Sequence, residues 1–401
     1  MNLDSPRRLV VQVVDQESLE EMLVSLKQNT DTLAVDTERA SGFRYSQRAY
    51  LVQIGLAAGS IYLVDPVALD DTSPGWNQLV AKEINSRSWL LHAATQDIPC
   101  LTELGFASET IIDTELAARL AGYEKVGLGS MVTELLDLEL AKEHSASDWS
   151  IRPLHPSLLN YAALDVDVLH DLWAEIEKSL ESQSKSQWAK EEFAALQNFR
   201  PKPIAQEPWR NLPGLSRVKD QVKLKAAAAL WLARDEIAIE SDLAPGRLIP
   251  DRSIMAAIDK VPRSKHELSQ NKLFQGRASR SMLTIWWEAI EGSKNLEILP
   301  TPGHTGALPN HKSWEKRFPE AHVRLKLVRE LVMAKATELV VPVENLLTPE
   351  FLRRVCFEPE TDIAAQLKKL GARPWQVEIT AALIEEGLEL ALAENSLPQT
   401  P

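Results

Sequence analysis

Cysteine is nearly absent from this 401-residue chain. Its two cysteines, Cys100 and Cys356, lie far apart in the sequence. That leaves no disulfide framework and no thiolate zinc site to organise the fold, and makes the cytoplasm the expected compartment. Long apolar runs are missing too: no stretch reaches the roughly 18 residues that a membrane-spanning helix needs. The opening MNLDSPRRLVVQVVDQ has only a short apolar run, soon followed by acids, and does not read as a signal peptide. Positive charge is in deficit, 44 Lys+Arg against 57 Asp+Glu, a net of −13. Taken whole, that balance argues against a nucleic-acid ligand. The deficit is uneven, however. Residues 1–200 hold 16 basic and 31 acidic side chains, whereas residues 201–300 hold 16 and 12. An acidic first half suits cation binding, or is simply a solvated acidic surface. The rest of the composition, 44% hydrophobic and 25% charged, is that of an ordinary globular protein. The length suits two or three domains.

The first half alternates strand-like and helix-like runs. RLVVQVV reads as a strand and QESLEEMLVSLKQ as a helix. TLAVDTE, AYLVQIGLA and SIYLVDP follow as strands, the first two separated by the polar loop RASGFRYSQR. WLLHA and TIIDT are further short strands, and TQDIPCLTELG, ELAARLAG and GLGSMVTELL are helical. One long helix is expected from about Pro156 to Ser182. Strands in hairpin order followed by αβ alternation predict a mixed sheet flanked by helices. The proline-bearing stretches Asn198–Trp209 and Leu299–His311 read as linkers. After the first of them the strand signals stop. The expected architecture is an α/β domain over residues 1–200, followed by two small all-α domains at 210–295 and 312–398.

The strand TLAVDTE ends on two carboxylates, Asp36 and Glu38. Residues i and i+2 of a strand point to one face, so both charges aim at one place. A cation, an arginine or open water could relieve that repulsion. Further acids stand at the ends of other elements. Asp97 sits in the first turn of a helix, where it could equally be an N-terminal acid stabilised by the helix dipole. Tyr161 and Asp165 are four residues apart and share a helix face, where a hydrogen bond between them could merely staple the helix. Together Asp36, Glu38, Asp97 and Asp165 could hold two Mg²⁺ or Mn²⁺ ions, because hard cations prefer oxygen ligands. Two metals about 4 Å apart suit in-line phosphoryl displacement, with Tyr161 placed to bond the attacking water.

At these residues the chain resembles the DEDD 3′–5′ exonucleases: VDTE, HAATQD and YAALD look like their three motifs. Relatives with a histidine carry it five residues before the last aspartate. Here that position is Asn160 and a tyrosine lies four before, the DEDDy form. The segment KEHSASDWSIRPLHPSLLNYAALDVDVL is similar to the ribonuclease D family, where S-x-x-D-W-x-x-R-P-L precedes the last motif. Residues from KLKAAAAL onward, with Pro245, Arg247, Ile249, Pro250 and Asp251 in a P-x-R-x-I-P-D turn, look like an HRDC domain. The region around LGARPWQVEIT is less typical and is compatible with a degenerate second HRDC module.

The resemblance implies a ribonuclease H-like exonuclease fold and a two-metal site on Asp36, Glu38, Asp97 and Asp165. It implies hydrolysis of RNA 3′ ends to nucleoside 5′-monophosphates, tRNA precursors and other structured RNAs above all, with the HRDC region helping to hold RNA. A DNA exonuclease and a non-catalytic RNA-binding protein on the same scaffold are the alternatives. Tyr50, Gln53, His92 and Arg152 are candidate substrate contacts, each with a structural role as the competing reading. Asp113 is expected to cap a helix. Asp167 and Asp171 are expected to be solvated. Basic residues such as Arg217, Lys219, Lys223 and Lys225 are candidates for phosphate contacts, or are ordinary solvated helix faces.

Overall fold

The computed structural model describes residues 2–140, 146–274, 276–299 and 308–396. Ser145, which opens the S-x-x-D-W segment, and residues 300–307 of the second linker lie outside the described residues. The strands are β1 (Asn2–Leu3), β2 (Val10–Val13), β3 (Leu33–Arg39), β4 (Ala49–Leu56), β5 (Ile61–Val64), β6 (Ser88–Leu91), β7 (Thr110–Asp113) and β8 (Glu139–Leu140). Six of them form one sheet in the order β2-β5-β4-β3-β6-β7. β4 runs antiparallel to β3 and β5, and the other pairs are parallel. This is the expected mixed sheet. β1 and β8 pair separately, each too short for periodicity to reveal. Helices Pro66–Thr72 and Trp76–Ile84, not anticipated above, fill the connection from β5 to β6.

β3 lies inside the sheet, and its two faces meet different partners. Leu33 and Val35 enter the larger core with Trp89 and Leu91. Ala34 turns the other way, toward Ala162, Ala163 and Val166 of the helix Pro156–Asp167. Small residues permit that close approach: a Cβ on Gly55 would stand 3.4 Å from both the Ala34 Cβ and the Val166 carbonyl oxygen. Because side chains alternate along a strand, Asp36 and Glu38 share the face of Ala34, the face that this helix covers.

The expected single helix from Pro156 to Ser182 is in fact two, Pro156–Asp167 and Leu169–Ser182. Two arginines account for the break. Arg7 Nη2 donates to the Asp167 carbonyl at 2.7 Å, and the Arg8 guanidinium reaches the same oxygen. Their Nε atoms pair with the Asp167 carboxylate at 2.9 and 2.7 Å. Asp167 is therefore fully buried rather than solvated. Asp171 is exposed but pairs with Arg7 Nη1 at 2.7 Å.

Beyond residue 209 no strand occurs among the described residues. The helix Gln221–Ser241 and its neighbours build their own core around Leu230, Ile254, Phe274 and Trp286. The last helical region behaves differently, because it shares a core with the sheet domain. Val328, Val332 and Ile384 are buried in one cluster with Leu172 and Ile176. At that seam Trp188 and Trp375 stack with centroids 4.7 Å apart. The buried Lys185 donates to the carbonyls of Leu120 at 2.8 Å and Val340 at 3.2 Å. Gly122, at φ +87, lies against Val340 so closely that a Cβ would come within 2.6 Å of its carbonyl oxygen.

Candidate active site

β3 and β6 run parallel, and the site lies toward their carboxyl ends, the side on which open α/β sheets generally bind ligands. β3 delivers Asp36 and Glu38. The helix Pro156–Asp167 crosses their face and delivers Tyr161 and Asp165. One oxygen from each of Asp36, Glu38 and Asp165 can be chosen so that all three lie within 4.8 Å of one another. These three, with Asp97, Tyr161 and His92, line a cavity of about 1090 Å³.

Asp97 arrives from the turn after β6. It stands at the N-cap of the helix Ile98–Glu103, yet its side chain makes no capping hydrogen bond. It accepts instead from the hydroxyl of Thr37 at 2.6 Å. Asp113 holds the turn that carries Asp97: its carboxylate accepts from the amides of Ala93 and Ala94 at 3.0 and 2.9 Å, and from Glu115 and Leu116 across its own helix start. The expected cap is present, and it also clamps Ala93 at φ +62.

The remaining expected contacts divide. His92 lines the cavity, and its Nδ1 lies 2.8 Å from Thr114 Oγ1. Burial pulls its pKa down to about 4, so it is neutral at physiological pH. Gln53 is fully buried and donates to Asp36 Oδ2 at 3.3 Å. It braces a site carboxylate instead of facing a nucleotide. Tyr50 is buried with its hydroxyl 3.3 Å from Asp242, and does not line the cavity. Arg152 is committed to Asp65 at 2.6 Å and to the carbonyls of Tyr50 and Trp149 at 2.7 Å. Its ion pair is structural and lies outside the cavity. Thr37 and the loop residues Ser41, Gly42 and Phe43 join the site without having been anticipated. A threonine between two acids and a polar loop carry no distinctive sequence signal.

The electrostatics are those of crowded like charges. Burial, then Asp97, Asp165 and Glu38, push the Asp36 carboxyl well above the usual range. Burial and the charges of Asp165 and Asp97 take Glu38 from 4.5 to about 9. Burial takes Asp97 from 3.8 to about 7, against the opposing hydrogen bond from Thr37. A site that resists its own ionisation this strongly fits a divalent cation, which replaces the missing positive charge. A stability prediction follows. With folded values raised above unfolded ones, the metal-free native state holds protons that the unfolded chain releases. Its stability should therefore fall as pH rises from about 4 through 7 toward 9. Thermal melts across this range in EDTA should show that slope, and Mg²⁺ should flatten it. Parallel curves with and without Mg²⁺ would count against metal binding by these acids.

The sheet, the convergent acids and the covering helix make an acid-lined cleft suited to metal-assisted phosphoryl chemistry. In agreement, residues 11–181 match the 3′–5′ exonuclease domain family, 223–290 the HRDC domain, and 307–388 the 3′ to 5′ exonuclease C-terminal domain. The chain is similar to proteins named ribonuclease D. It is 27% identical to the ribonuclease D of Granulibacter bethesdensis over 83% of this chain and 82% of that one. A solved structure of a protein from Bifidobacterium adolescentis is 32% identical, covers 97% of this chain and 99% of its own, and superposes with a TM-score of 0.88. Escherichia coli RNase D, 22% identical with a TM-score of 0.69 over 94% of this chain and 98% of its own, shares the fold.

Proposed function

We propose that this protein is a divalent-metal-dependent 3′–5′ exoribonuclease that trims RNA one nucleotide at a time and releases nucleoside 5′-monophosphates. The convergence of Asp36, Glu38 and Asp165 within 4.8 Å carries the reading, because such an arrangement is unfavourable without a cation. Relatives bear the name ribonuclease D, and the E. coli protein is described as an exoribonuclease involved in structured RNA processing. On that basis tRNA precursors and other structured RNAs are the proposed substrates, and the cytoplasm the proposed compartment. No described helix is long and apolar enough to cross a membrane. In this reading residues 1–200 hold the chemistry, 210–295 work beside the substrate entrance, and 312–398 buttress the sheet domain.

Asp36, Glu38, Asp97 and Asp165 would hold two ions, Mg²⁺ or Mn²⁺. Such ions, when bound, lower the pKa of water and neutralise charge on the phosphate. The protein's own part is positional. Water attacks the phosphorus of the last phosphodiester, the bond from phosphorus to the 3′ oxygen breaks, and that oxygen leaves protonated on the shortened chain. The terminal nucleotide departs with its 5′-phosphate. Burial, followed by the charges of Asp165, Glu38 and Asp36, holds the Tyr161 phenol far above its ordinary value. A phenol so firmly protonated orients the water by hydrogen bonding and does not deprotonate it. Gln53 and Thr37 fix Asp36 and Asp97 in place.

The test is degradation of 3′-blocked and free-ended RNA and DNA oligonucleotides, labelled at the 5′ end, with Mg²⁺ and with EDTA. Stepwise shortening of free-ended RNA in Mg²⁺ alone is expected. Equal rates on DNA would transfer the reading to the DNA alternative. RNA binding without cleavage would transfer it to the non-catalytic one.

A further inference from the structure

The loop between β3 and β4 leaves the site after Arg39, one residue past Glu38. Its residues Ser41, Gly42 and Phe43 form one wall of the cavity. Within its own domain the loop is held by a turn onto the Ala40 carbonyl at 2.8 Å, by Ser41 Oγ donating to Gln47 Oε1 at 2.8 Å, by Arg44 Nε donating to Ser150 Oγ at 2.8 Å and by Phe43 packing against the core that contains Ala40 and Trp149. A second grip comes from the helical domain. Arg247 Nε donates to the Gly42 carbonyl at 2.8 Å, and its guanidinium lies 4.0 Å from the centroid of the Phe43 ring. The Ala244 amide donates to the Phe43 carbonyl at 3.0 Å. Asp242, turned to φ +46 at the end of the helix Gln221–Ser241, accepts from the Ser46 amide at 2.9 Å and from the Tyr50 hydroxyl at 3.3 Å. Tyr45 completes the contact by packing against that domain's core.

We propose that Arg247 and Asp242 are positioning residues for the exonuclease site. Through Gly42, Phe43 and Ser46 they fix the cavity wall against which the 3′-terminal nucleotide is seated, so that the helical domain sets turnover as well as grip. This rests on the exoribonuclease reading above. The alternative role for a basic residue in this region is a phosphate contact, which would act through affinity and salt dependence. Arg247 is poorly suited to it, because its Nε and one guanidinium face are already used within the protein. Lysine should not replace it: a lysine keeps the charge but lacks the planar fork that bonds and stacks at once.

The experiment compares kcat and KM on a trinucleotide, too short to track across both domains, and on a long RNA, in Mg²⁺ at several salt concentrations. The proteins are wild type, Arg247→Ala, Arg247→Lys, Asp242→Ala, Phe43→Ala and the Arg247→Ala/Phe43→Ala double variant, with melting temperatures recorded for each. Arg247 is exposed, so its variants should fold. Arg247→Ala is expected to lower kcat on the trinucleotide about tenfold or more, because small misplacements at a reacting centre are costly. Its salt slope should stay unchanged, and Arg247→Lys should remain slow. In the Phe43→Ala background, removing Arg247 should add little, the signature of residues acting as one unit. Wild-type kcat on the trinucleotide, or a loss confined to long RNA with a shallower salt slope, would overturn the inference. A wild-type protein inert on both RNAs would instead remove the exoribonuclease reading, and this inference with it.

Discussion

Asp36→Asn and Asp165→Asn should each give a folded protein that degrades RNA at least about a thousandfold more slowly, since metal-assisted catalysis is worth several kcal/mol. Asparagine keeps the shape of aspartate but offers a hard dication a poorer ligand. Loss of activity alone would not distinguish a missing ligand from a damaged fold, so stability supplies the second readout. Asp36 is repelled by Asp97, Asp165 and Glu38 in the metal-free protein. Removing one of these acids, whose ionisation the folded site opposes and the unfolded chain permits, should raise the EDTA melting temperature at pH 8, with a gain of about 1–2 kcal/mol typical of relieving such a site. The stabilisation that wild type gains from added Mg²⁺ should shrink at the same time. A variant that is inactive because it is misfolded would melt lower. Single-turnover RNA cleavage with melts in EDTA and in Mg²⁺ makes the measurement. Near-normal cleavage by either folded variant would exclude these acids as the site.

The parts of this protein that were legible in the sequence are those set by local periodicity. The alternation along LAVDTER puts Asp36 and Glu38 on one face whatever the rest of the chain does. The four-residue step from Tyr161 to Asp165 likewise survives any change in what the helix packs against. What escaped depends on partners distant in sequence. The break after Asp167 comes from Arg7 and Arg8, about 160 residues earlier, and nothing near Asp167 announces it. Gln53 and Arg152 carry the polar groups expected of substrate contacts, but Asp36 and Asp65 use them internally. The grip of Arg247 on Gly42 spans 205 residues. The basic excess of residues 201–300 suggested RNA binding, whereas charge counts hold no information on which guanidinium is already occupied. The shared core of Val328 and Leu172 also means that cutting the chain after the sheet domain would strip buried surface from it. Point variants therefore test the helical domains more cleanly than truncation does.

Tyr161→Phe should reduce kcat by about a hundredfold to ten-thousandfold, the usual range for loss of a positioned proton-handling or water-orienting group, with metal affinity nearly unchanged. Phenylalanine keeps the ring, including its tilted contact with Trp149 at 6.4 Å between centroids, so the helix should pack as before. Only the hydroxyl is lost, together with its hydrogen bond to Asp165. Asp165 keeps its charge and remains available to a cation. The Mg²⁺ dependence of melting should therefore match wild type, in contrast to the aspartate variants. The pH profile gives a further distinction. If the phenol orients water while staying protonated, the residual activity of the phenylalanine variant should keep the wild-type pH dependence and be lower by a constant factor. If the phenol acted as a base, its loss should change the shape of the alkaline limb. Wild-type turnover by Tyr161→Phe would reduce the residue to a helix staple, and the water would then have to be oriented by the carboxylates alone.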